Sequence, residues 1–269
     1  MLVFATDLDN TLIYSQKKTV KQSCCVEWKE GRELSYMTEE SYKKLQEINE
    51  KEEIHIVPVT TRSLEQYQRI KLLEKAPKLA LVANGGILLV DGKIDATWRQ
   101  ETQDIIAESK KELEKAWDYL EKDKNRSFEL RNIDDMFLFT KSARPADTIA
   151  GLEKVMNPSL VSVIENYNKI YVMPHILDKG LAIKRLKKYL KNSFFHKNEP
   201  FSIIAAGDSS FDIPMLQEAD YAIALHESYF IETLKEKEQT CFWDGEKNLF
   251  AGYVLDIVEK CAKSIHHQD

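Results

Sequence analysis

Short apolar runs alternate with amphipathic segments in the first 83 residues of the chain. Leu2–Ala5 and Ile54–Val59 are predicted to be buried strands, and each is followed by polar residues. Thr38 and Ser63 are suitable N-caps for two helices, because apolar residues recur at intervals of three after each of them. Leu79–Ala83 is a third predicted strand. This alternation of strands and helices predicts parallel strands with helical crossovers, an α/β architecture.

The pattern changes after Gly86. Asp91-Gly92 predicts a hairpin between Ile87–Val90 and Lys93–Trp98. The elements expected next are a helix at 103–122, strands near 128–130 and 136–140, a helix at 146–156 opened by Pro145, and strands at 161–165 and 169–173. Helices mixed with antiparallel strand pairs indicate an α+β module inserted into the α/β domain.

The earlier alternation resumes at Asp178, a predicted helix N-cap. The elements expected after it are strand Phe201–Ala206, a short helix at 210–219, strand Tyr221–Ala224 and a closing helix at 249–261. We therefore predict a Rossmann-like parallel-sheet core made of residues 1–85 and 177–269, with an inserted α+β cap domain at 86–176. A hairpin across 20–37, with Lys29–Arg32 as its loop, is predicted to form a flap.

Composition narrows the class of protein. With 43% hydrophobic residues the chain can form a substantial core, which argues against disorder. A net charge of −6 gives no global attraction to nucleic acid or to an anionic membrane, although it does not exclude a local basic patch. No stretch reaches the ~18 apolar residues that cross a bilayer, and Leu2–Ala5 is too short for a signal peptide.

The four cysteines form no CxxC pair and no cluster with zinc spacing, so reduced thiols in the cytoplasm are expected. We accordingly expect a cytoplasmic protein, a monomer or a homodimer, without nucleic-acid or membrane partners.

Four polar clusters are candidates for one site, because ligands of open parallel sheets bind beyond the carboxyl ends of the strands. Three clusters follow predicted strands, and the fourth opens a helix. They are Asp7-Leu8-Asp9-Asn10-Thr11, Thr60-Thr61-Arg62, Lys179, and Gly207-Asp208-Ser209-Ser210-Phe211-Asp212.

The carboxylates of these clusters are hard oxygen ligands that suit Mg²⁺. One carboxylate can attack phosphorus to form an aspartyl-phosphate, and its neighbour two residues on can protonate the leaving alkoxide and later deprotonate water. Lys179 and the Thr60 hydroxyl are suited to hold phosphoryl oxygens. The clusters therefore indicate phosphoryl transfer from a small phosphorylated metabolite.

Each cluster also has a simpler interpretation when it is taken alone. A DxD pair near a strand end is common, and an EF-hand loop is excluded because Thr11 and Leu12 break its pattern. Thr60-Thr61 can satisfy backbone groups at a strand exit, and Lys179 can be a solvated first-turn lysine. Gly207-Asp208 can be a turn that caps the next helix. The combination of all four is what favours a site.

The motifs together resemble those of the haloacid dehalogenase superfamily. Asp7-Leu8-Asp9-Asn10-Thr11-Leu12 is similar to its first motif in the phosphatase form DxDxT, and Thr60 to the second motif. Lys179 is similar to the third motif, and Gly207-Asp208 through Asp212 to the fourth, GDxxxD. An insert between the second and third motifs resembles the C2-cap branch, which includes Cof-like, sucrose-phosphate and mannosyl-phosphoglycerate phosphatases.

The resemblance implies a role for each matching residue. Asp7 is implied as the nucleophile and Asp9 as the general acid/base. Thr60, the backbone amide of Thr61 and Lys179 are implied to bind phosphate. The implied Mg²⁺ ligands are Asp7, the carbonyl of Asp9, Asp208, and Asp212 directly or through water. Arg62 and Asn84 are candidate substrate contacts. The acid at position 9 argues for phosphoryl transfer over dehalogenation.

Two positions depart from the family pattern. Phe211 stands where the C2 branch usually has Asn before the last aspartate, and Thr61 stands where Gly is common in the second motif. The expected function is Mg²⁺-dependent hydrolysis of a small phosphomonoester, a sugar phosphate or phosphoglycerate-like compound. The alternatives are a phosphomutase with the same nucleophile and a catalytically silent phosphate-binding protein.

Residues of the predicted cap are expected to select the substrate. Two tryptophans, Trp98 and Trp117, are candidates for stacking on a sugar or for packing. His175, near the second crossover between cap and core, is expected to be a hinge or packing residue rather than a catalytic one. Four basic residues of the predicted cap have two interpretations: they form a basic wall that faces an anionic group of the substrate, or they are solvated surface charges. They are Arg126, Arg131, Lys141 and Arg144.

Overall fold

The structure is a computed structural model that describes residues 1–15, 22–195 and 199–266. The chain divides into two compact units: unit 1 consists of Met1–Ile94 and Asp178–Asp269, and unit 2 of Asp95–Leu177. Unit 2 is thus an insert in the sequence of unit 1. Within the described residues, no helix is both long enough and apolar enough to span a membrane.

A parallel five-stranded sheet forms the centre of unit 1. Its strands, in spatial order, are β15 (Thr240–Trp243), β14 (Tyr221–Leu225), β13 (Ser202–Gly207), β1 (Leu2–Thr6) and β5 (Ile54–Pro58). Every residue of β1 is buried, because β1 lies between two parallel neighbours with both of its faces covered. The predicted α/β class with a Rossmann-like parallel sheet is confirmed.

Helices cover this sheet. They are α1 (Glu39–Asn49), α2 (Leu64–Gln68), α6 (Lys179–Tyr189), α7 (Ile213–Glu218), α8 (Ser228–Leu234) and α9 (Phe250–His266). Thr38 caps α1 by accepting from the Ser41 amide at 3.1 Å, and Ser63 forms a capping box with Gln66, as the sequence predicts. Lys44 of α1 pairs with Asp256 of α9 and so joins two helices distant in sequence.

The predicted flap is an antiparallel sheet in the order β2 (Tyr14–Ser15), β4 (Arg32–Thr38) and β3 (Ser23–Lys29). Glu30 and Gly31 form its tip, both with positive φ. Residues 20 and 21 of the predicted hairpin lie outside the described residues. This three-stranded sheet is called the flap below.

A third sheet of unit 1 contains the strand predicted at Leu79–Ala83, which is not one of the five strands of the central sheet. Strands β6 (Leu79–Val82), β7 (Ile87–Val90) and β8 (Lys93–Ile94) pair antiparallel, and β6 meets the central sheet through the parallel bridge Val59–Leu81. The helix predicted after Ser63 has apolar residues at Tyr67, Ile70 and Leu73 in the sequence, but it ends at Gln68 in the structure. The reason is that the following residues pair with β3: Ile70 bridges Glu27, and the Lys71 amide donates to Val26 at 2.7 Å.

Unit 2 is an antiparallel sheet with helices packed against it. The strand order is β11 (Val161–Asn166), β12 (Lys169–Pro174), β10 (Phe137–Lys141) and β9 (Arg131–Ile133). The helices are α3 (Ala96–Ile105), α4 (Lys110–Lys122) and α5 (Pro145–Val155). Leu113, Leu120 and Leu152 pack against Leu138 and Val172 in its core. This unit has the predicted α+β composition.

Several element boundaries differ from the prediction. Asp95 accepts from the Trp98 amide at 2.8 Å and starts a helix there, so Trp98 lies on α3 rather than on a hairpin strand. The single helix expected at 103–122 is two helices joined by a 3₁₀ turn at Ala107–Ser109. The strand expected near 128–130 is β9, three residues later. Helix α8 and strand β15 were not predicted.

The insert begins at Asp95 in the structure because β7 and β8 complete the β6 sheet of unit 1. Its second boundary, at Leu177, adjoins the capped start of α6. That the insert acts as a cap over the core stays a prediction.

Candidate active site

The turn after β1 carries the first acidic cluster at the carboxyl edge of the central sheet. The Asp7 amide donates to Ala206 of β13 at 2.9 Å, which fixes the backbone of Asp7 between two strand ends. Leu8 and Leu12 are 0% exposed and anchor the turn below. The turn closes because the Leu8 carbonyl accepts from the amides of Thr11, Leu12 and Ile13. A rigid, locally bonded turn therefore presents Asp7 at the sheet edge.

Lys179 is buried between two carboxylates. Its ammonium lies 2.6 Å from Asp7 Oδ1 and 2.6 Å from Asp212 Oδ1, and only 1% of the residue is exposed. Asp178 caps α6 by accepting from the Leu181 amide at 2.7 Å, so Lys179 is the first helical residue and its direction is set by the cap. Burial opposes its charge, but Asp212 and Asp7 together raise the pKa of Lys179 above its usual value.

Asp212 organises the turn that follows β13. Its Oδ2 accepts from the Asp208 amide at 3.1 Å and from the Ser209 amide and hydroxyl, both at 2.9 Å. Its Oδ1 accepts from Lys179. A Cβ atom at Gly207 would lie 2.2 Å from Asp212 Cβ, so the glycine permits the close approach of this carboxylate. The GDxxxD spacing is thus required by the local folding of the turn.

Three carboxylates form a group that could hold a metal ion. One carboxylate oxygen from each of Asp7, Asp208 and Asp212 lies within 4.8 Å of the others. Burial raises the pKa of Asp7 to about 7; Lys179 opposes this effect, and Asp212 and Asp9 add to it. Burial, with the charges of Asp7 and Asp212, also raises the pKa of Asp208. Three carboxylates around one ammonium carry an excess negative charge that a divalent cation neutralises.

Thr11 connects the first and fourth clusters. Its hydroxyl lies 3.3 Å from Asp7 Oδ2 and 3.5 Å from Asp208 Oδ1, and the residue is completely buried. Thr11 lies within the first motif, where the sequence alone indicates no role for it. The structure adds it to the site as a donor between two acids.

The second cluster lies at the end of β5. Thr60 is completely buried, its amide donates to Leu81 at 2.9 Å, and its hydroxyl accepts from the Arg62 amide at 3.2 Å. Thr61 is half-buried between them. Asn84 is buried with a φ of 58°, and its amide donates to the Thr60 carbonyl at 2.9 Å. Thr60 and Asn84 therefore belong to one bonded turn.

Arg62 lies against the general-acid candidate. Its Nε and Nη2 donate to the two oxygens of Asp9 at 2.7 and 2.8 Å, a bidentate ion pair. Its Nη1 lies 2.8 Å from Glu27, a flap residue that is 2% exposed. Sequence reasoning did not identify Glu27, because an acid in a hairpin strand carries no motif. Its burial between cations is visible only in the fold.

The structure thus brings together Asp7, Asp208, Asp212, Lys179 and Thr11, and it joins Asp9 to Arg62. Phe211 lies half-buried in the 3₁₀ turn Ser210–Asp212.

The basic candidates of unit 2 bond within that unit. Arg126 donates to the Leu120 and Phe128 carbonyls, both at 3.0 Å, and Arg144 pairs with Asp147 at 2.6 Å. Arg131 and Lys141 both lie over the ring of Phe128. These contacts favour the interpretation as structural and surface charges.

The remaining candidates of unit 2, two tryptophans and a histidine, lie in different environments. Trp98 is 4% exposed and packs in the interior. Trp117 is half-buried and lines a surface cavity of about 510 Å³ together with Leu113 and Leu138. His175 is exposed, and its Nε2 lies 2.6 Å from the Pro158 carbonyl oxygen, so a hinge or packing role for it stays a prediction.

Comparisons with solved structures identify the fold. The sucrose-phosphatase from Synechocystis superposes with a TM-score of 0.63 and 14% identity, covering 96% of this chain and 97% of that one. A protein of Thermoplasma acidophilum gives 0.60 and 14%, with coverages of 96% and 97%. The trehalose-6-phosphate phosphatase of Aspergillus fumigatus gives 0.56 and 14%, with coverages of 97% and 92%. A comparison with curated protein sequences gives no significant match.

A family model described as haloacid dehalogenase-like hydrolase matches residues 97–237, just over half of the 269 residues. The match includes Lys179, Asp208 and Asp212, the residues that resemble the third and fourth motifs of the family. Asp7, Asp9 and Thr60 precede it, and the structure brings Asp7 against the matched residues. The chain therefore belongs to the haloacid dehalogenase-like hydrolases, as its motifs indicate.

Proposed function

We propose that this hydrolase is a Mg²⁺-dependent phosphatase that cleaves a small phosphorylated sugar through a phosphoryl-aspartate on Asp7. One observation carries the proposal: the buried Asp7 carboxylate is held by Lys179 at 2.6 Å beside the acids Asp208 and Asp212. An aspartate fixed by a cation and placed at the carboxyl edge of a parallel sheet is suited to nucleophilic attack on phosphorus.

The residues present fit a hard divalent cation. Asp7, Asp208 and the backbone carbonyl of Asp9 would hold it, all through oxygen. Both oxygens of Asp212 already accept hydrogen bonds from Lys179 and from the Asp208–Ser209 segment, which supports a water-mediated contact for Asp212. When bound, Mg²⁺ would offset the charge on the phosphoryl oxygens and keep the neighbouring carboxylates ionised.

In the first step, an Asp7 oxygen forms a bond to phosphorus while the bond from phosphorus to the sugar oxygen breaks. Asp9 gives its proton to that sugar oxygen, which leaves as the alcohol. In the second step, Asp9 takes a proton from water, whose oxygen attacks phosphorus and releases inorganic phosphate and the free Asp7 carboxylate. Asp9 is thereby protonated again, and the cycle balances.

The phosphoryl oxygens need donors, and three groups are proposed to supply them. Lys179 carries a positive charge next to the nucleophile. The Thr60 hydroxyl accepts from the Arg62 amide and can donate its own proton to a phosphoryl oxygen. The Thr61 amide follows in the same turn. Donors that are fixed before substrate binds stabilise the transition state without reorganisation.

A sugar phosphate is the proposed substrate class, and the location proposed for the enzyme is the cytoplasm. The similar folds of a sucrose-phosphatase and a trehalose-6-phosphate phosphatase support the substrate class. The four free cysteines are in keeping with the cytoplasmic location.

The test is phosphate release from a panel of phosphorylated sugars, glycerates and nucleotides, with Mg²⁺ or with a chelator. We expect Mg²⁺-dependent release that is largest with sugar phosphates and is abolished in Asp7→Asn. Transfer of the phosphoryl group to another sugar position without release would instead indicate a mutase. Wild-type turnover by Asp7→Asn would show that the nucleophile is wrongly assigned.

A further inference from the structure

The flap contributes a buried carboxylate that the proposed mechanism does not use. Glu27 of β3 is 2% exposed. The Ser35 hydroxyl donates to its Oε2 at 2.5 Å, while Arg62 Nη1 and Arg69 Nη2 lie 2.8 and 3.3 Å from its Oε1. Charged residues are rarely buried unless they are paired, and a glutamate between two arginines is paired on both sides.

The backbone of the flap is distorted where this side chain turns inward. The pairing of β3 with β4 shifts register between Cys25 and Glu27 and again between Glu27 and Trp28. Val26 and Glu27 are consequently both buried, whereas successive residues of a regular strand point to opposite faces. A β-bulge redirects a side chain in this manner, and bulges are frequent beside active sites.

The bulge is also held from outside the hairpin. Glu27 forms a bridge with Ile70, and the Lys71 amide donates to Val26 at 2.7 Å. The segment after α2 therefore fixes the backbone on which Glu27 is carried. The position of the carboxylate is determined by two separate parts of unit 1.

Arg62 links Glu27 to Asp9, which lies in the turn after β1. Its side chain is 13% exposed, and opposite edges of its guanidinium contact two different carboxylates. Nη1 contacts Glu27, and Nε with Nη2 grips both oxygens of Asp9 at 2.7 and 2.8 Å. A planar, rigid fork occupied at both edges has little freedom to rotate, so the orientation of Asp9 depends on the anchor at the far edge.

We propose that Glu27 is a positioning residue for the general acid/base: through Arg62 it fixes the direction in which the Asp9 carboxylate points. This inference rests on the proposed function, since it assumes that Asp9 protonates the leaving group. Removing the Glu27 charge weakens the anchor at Arg62 Nη1 and leaves the longer contact from Nη2 to the Ser35 hydroxyl, at 3.4 Å, to hold Arg62 to the flap. A displacement of about 1 Å in a catalytic group can cost about a hundredfold in rate.

A purely structural role for Glu27 makes a different prediction. An acid that only holds the flap together would affect every substrate equally when it is replaced. A residue that orients the general acid affects substrates whose leaving group needs a proton and spares those whose leaving group does not. The dependence of kcat/KM on the leaving group separates the two roles, because kcat/KM reports the steps up to the first phosphoryl transfer.

The experiment compares Glu27→Gln and Glu27→Asp with wild type on a sugar phosphate and on p-nitrophenyl phosphate, whose anion leaves without protonation. We expect kcat/KM for the sugar phosphate to fall about tenfold to a hundredfold in Glu27→Gln. The value for p-nitrophenyl phosphate is expected to fall less than about threefold. Glu27→Asp, which keeps the charge, should recover part of the loss.

Glu33→Gln is the matched control. Glu33 is an exposed acid of the same flap that accepts a hydrogen bond from the Tyr36 hydroxyl at 2.9 Å. Its replacement should leave kcat/KM unchanged for both substrates. Thermal unfolding checks that each variant is folded, and Glu27→Asp alone carries the test if Glu27→Gln does not fold. Equal losses on both substrates, or no loss on either, would overturn the positioning role. A wild-type protein inactive on both would instead overturn the proposed function.

Discussion

The ammonium of Lys179 lies 2.6 Å from Asp7 Oδ1, although 172 residues separate the two in the sequence. The contact exists because β1 and β13 are parallel neighbours and α6 starts at a defined cap beside them. It joins a residue of the family-matched segment to the proposed nucleophile that precedes that segment. The stability and the chemistry of the site both depend on this pair.

Replacing Lys179 with Met should therefore destabilise the protein and abolish phosphate release. Met keeps most of the volume but leaves Asp7 and Asp212 buried without their cation, a loss of about 3–5 kcal/mol in the free energy of unfolding. Urea unfolding of the metal-free protein at pH 8 measures it.

Lys184→Met is the matched control on the same helix. Lys184 pairs with Glu218 at 3.2 Å, but its side chain is 59% exposed, so we expect a change below about 1 kcal/mol. A Lys179→Met protein as stable as this control would contradict the burial argument.

The acidic group predicts a particular pH dependence in the absence of metal. Burial raises the pKa of folded Asp7 from 3.8 to about 7, so the folded state binds a proton that the unfolded state has released. The stability contributed by protonated Asp7 is complete below about pH 4 and is lost as the pH rises through about 7. Chelator-treated protein should lose stability across this window, and added Mg²⁺ should restore it near pH 8.

Thermal unfolding of wild type and Asp7→Asn at pH 5 to 8 tests this contribution, because the variant lacks the Asp7 carboxyl and, with it, the charge that helps to raise the pKa of Asp208. The variant is expected to show the flatter profile and a smaller gain from Mg²⁺. Parallel profiles for the two proteins would show that Asp7 does not titrate in this range.

Local signals explain how the residues of the candidate site could be grouped from the sequence. The caps Thr38, Ser63 and Asp178 are short-range features, and the turn of Asp212 is fixed by bonds within five residues. Strand ends of parallel neighbours converge for topological reasons, so the acids and Lys179 could be grouped before any coordinates.

The features that were missed depend on contacts between distant segments. Helix α2 ends early because the residues that follow it pair with β3. Glu27 points inward because of a bulge in β3 that no sequence pattern marks. The short strand β15 was overlooked, although its Cys241-Phe242-Trp243 run favours extended structure. Local patterns therefore locate the chemistry, and tertiary pairing decides how its side chains are held.

Asp212→Asn should weaken metal binding. The carboxylate accepts from Lys179 and from three donors of the Asp208–Ser209 segment, and an amide can no longer accept at both ends. The turn that carries Asp208 should loosen, and Mg²⁺ affinity should fall about 10- to 100-fold, as is usual when an outer partner of a metal ligand is replaced. Isothermal titration calorimetry with Mg²⁺ measures the change.

Asp244→Asn replaces an exposed aspartate of unit 1 and should leave that affinity unchanged. An Asp212→Asn protein that binds Mg²⁺ as tightly as this control would show that Asp212 does not support the metal group.

Gly207→Ala should damage the site through packing alone. Its added Cβ would lie 2.2 Å from Asp212 Cβ and 2.4 Å from Asp212 Cγ, and no side-chain rotamer can relieve the contact with Cβ. Either β13 or the Asp212 turn must shift, at a cost of about 1–3 kcal/mol in unfolding free energy. Because Asp212 holds Lys179, we expect turnover to fall together with stability.

Gly252→Ala provides the opposite control: its Cβ would meet only Ser41 Oγ at 3.7 Å, and alanine within helix α9 should stabilise the protein by about 0.5–1 kcal/mol. A Gly207→Ala protein with wild-type stability and turnover would mean that the close approach of Asp212 to β13 is not needed for the site.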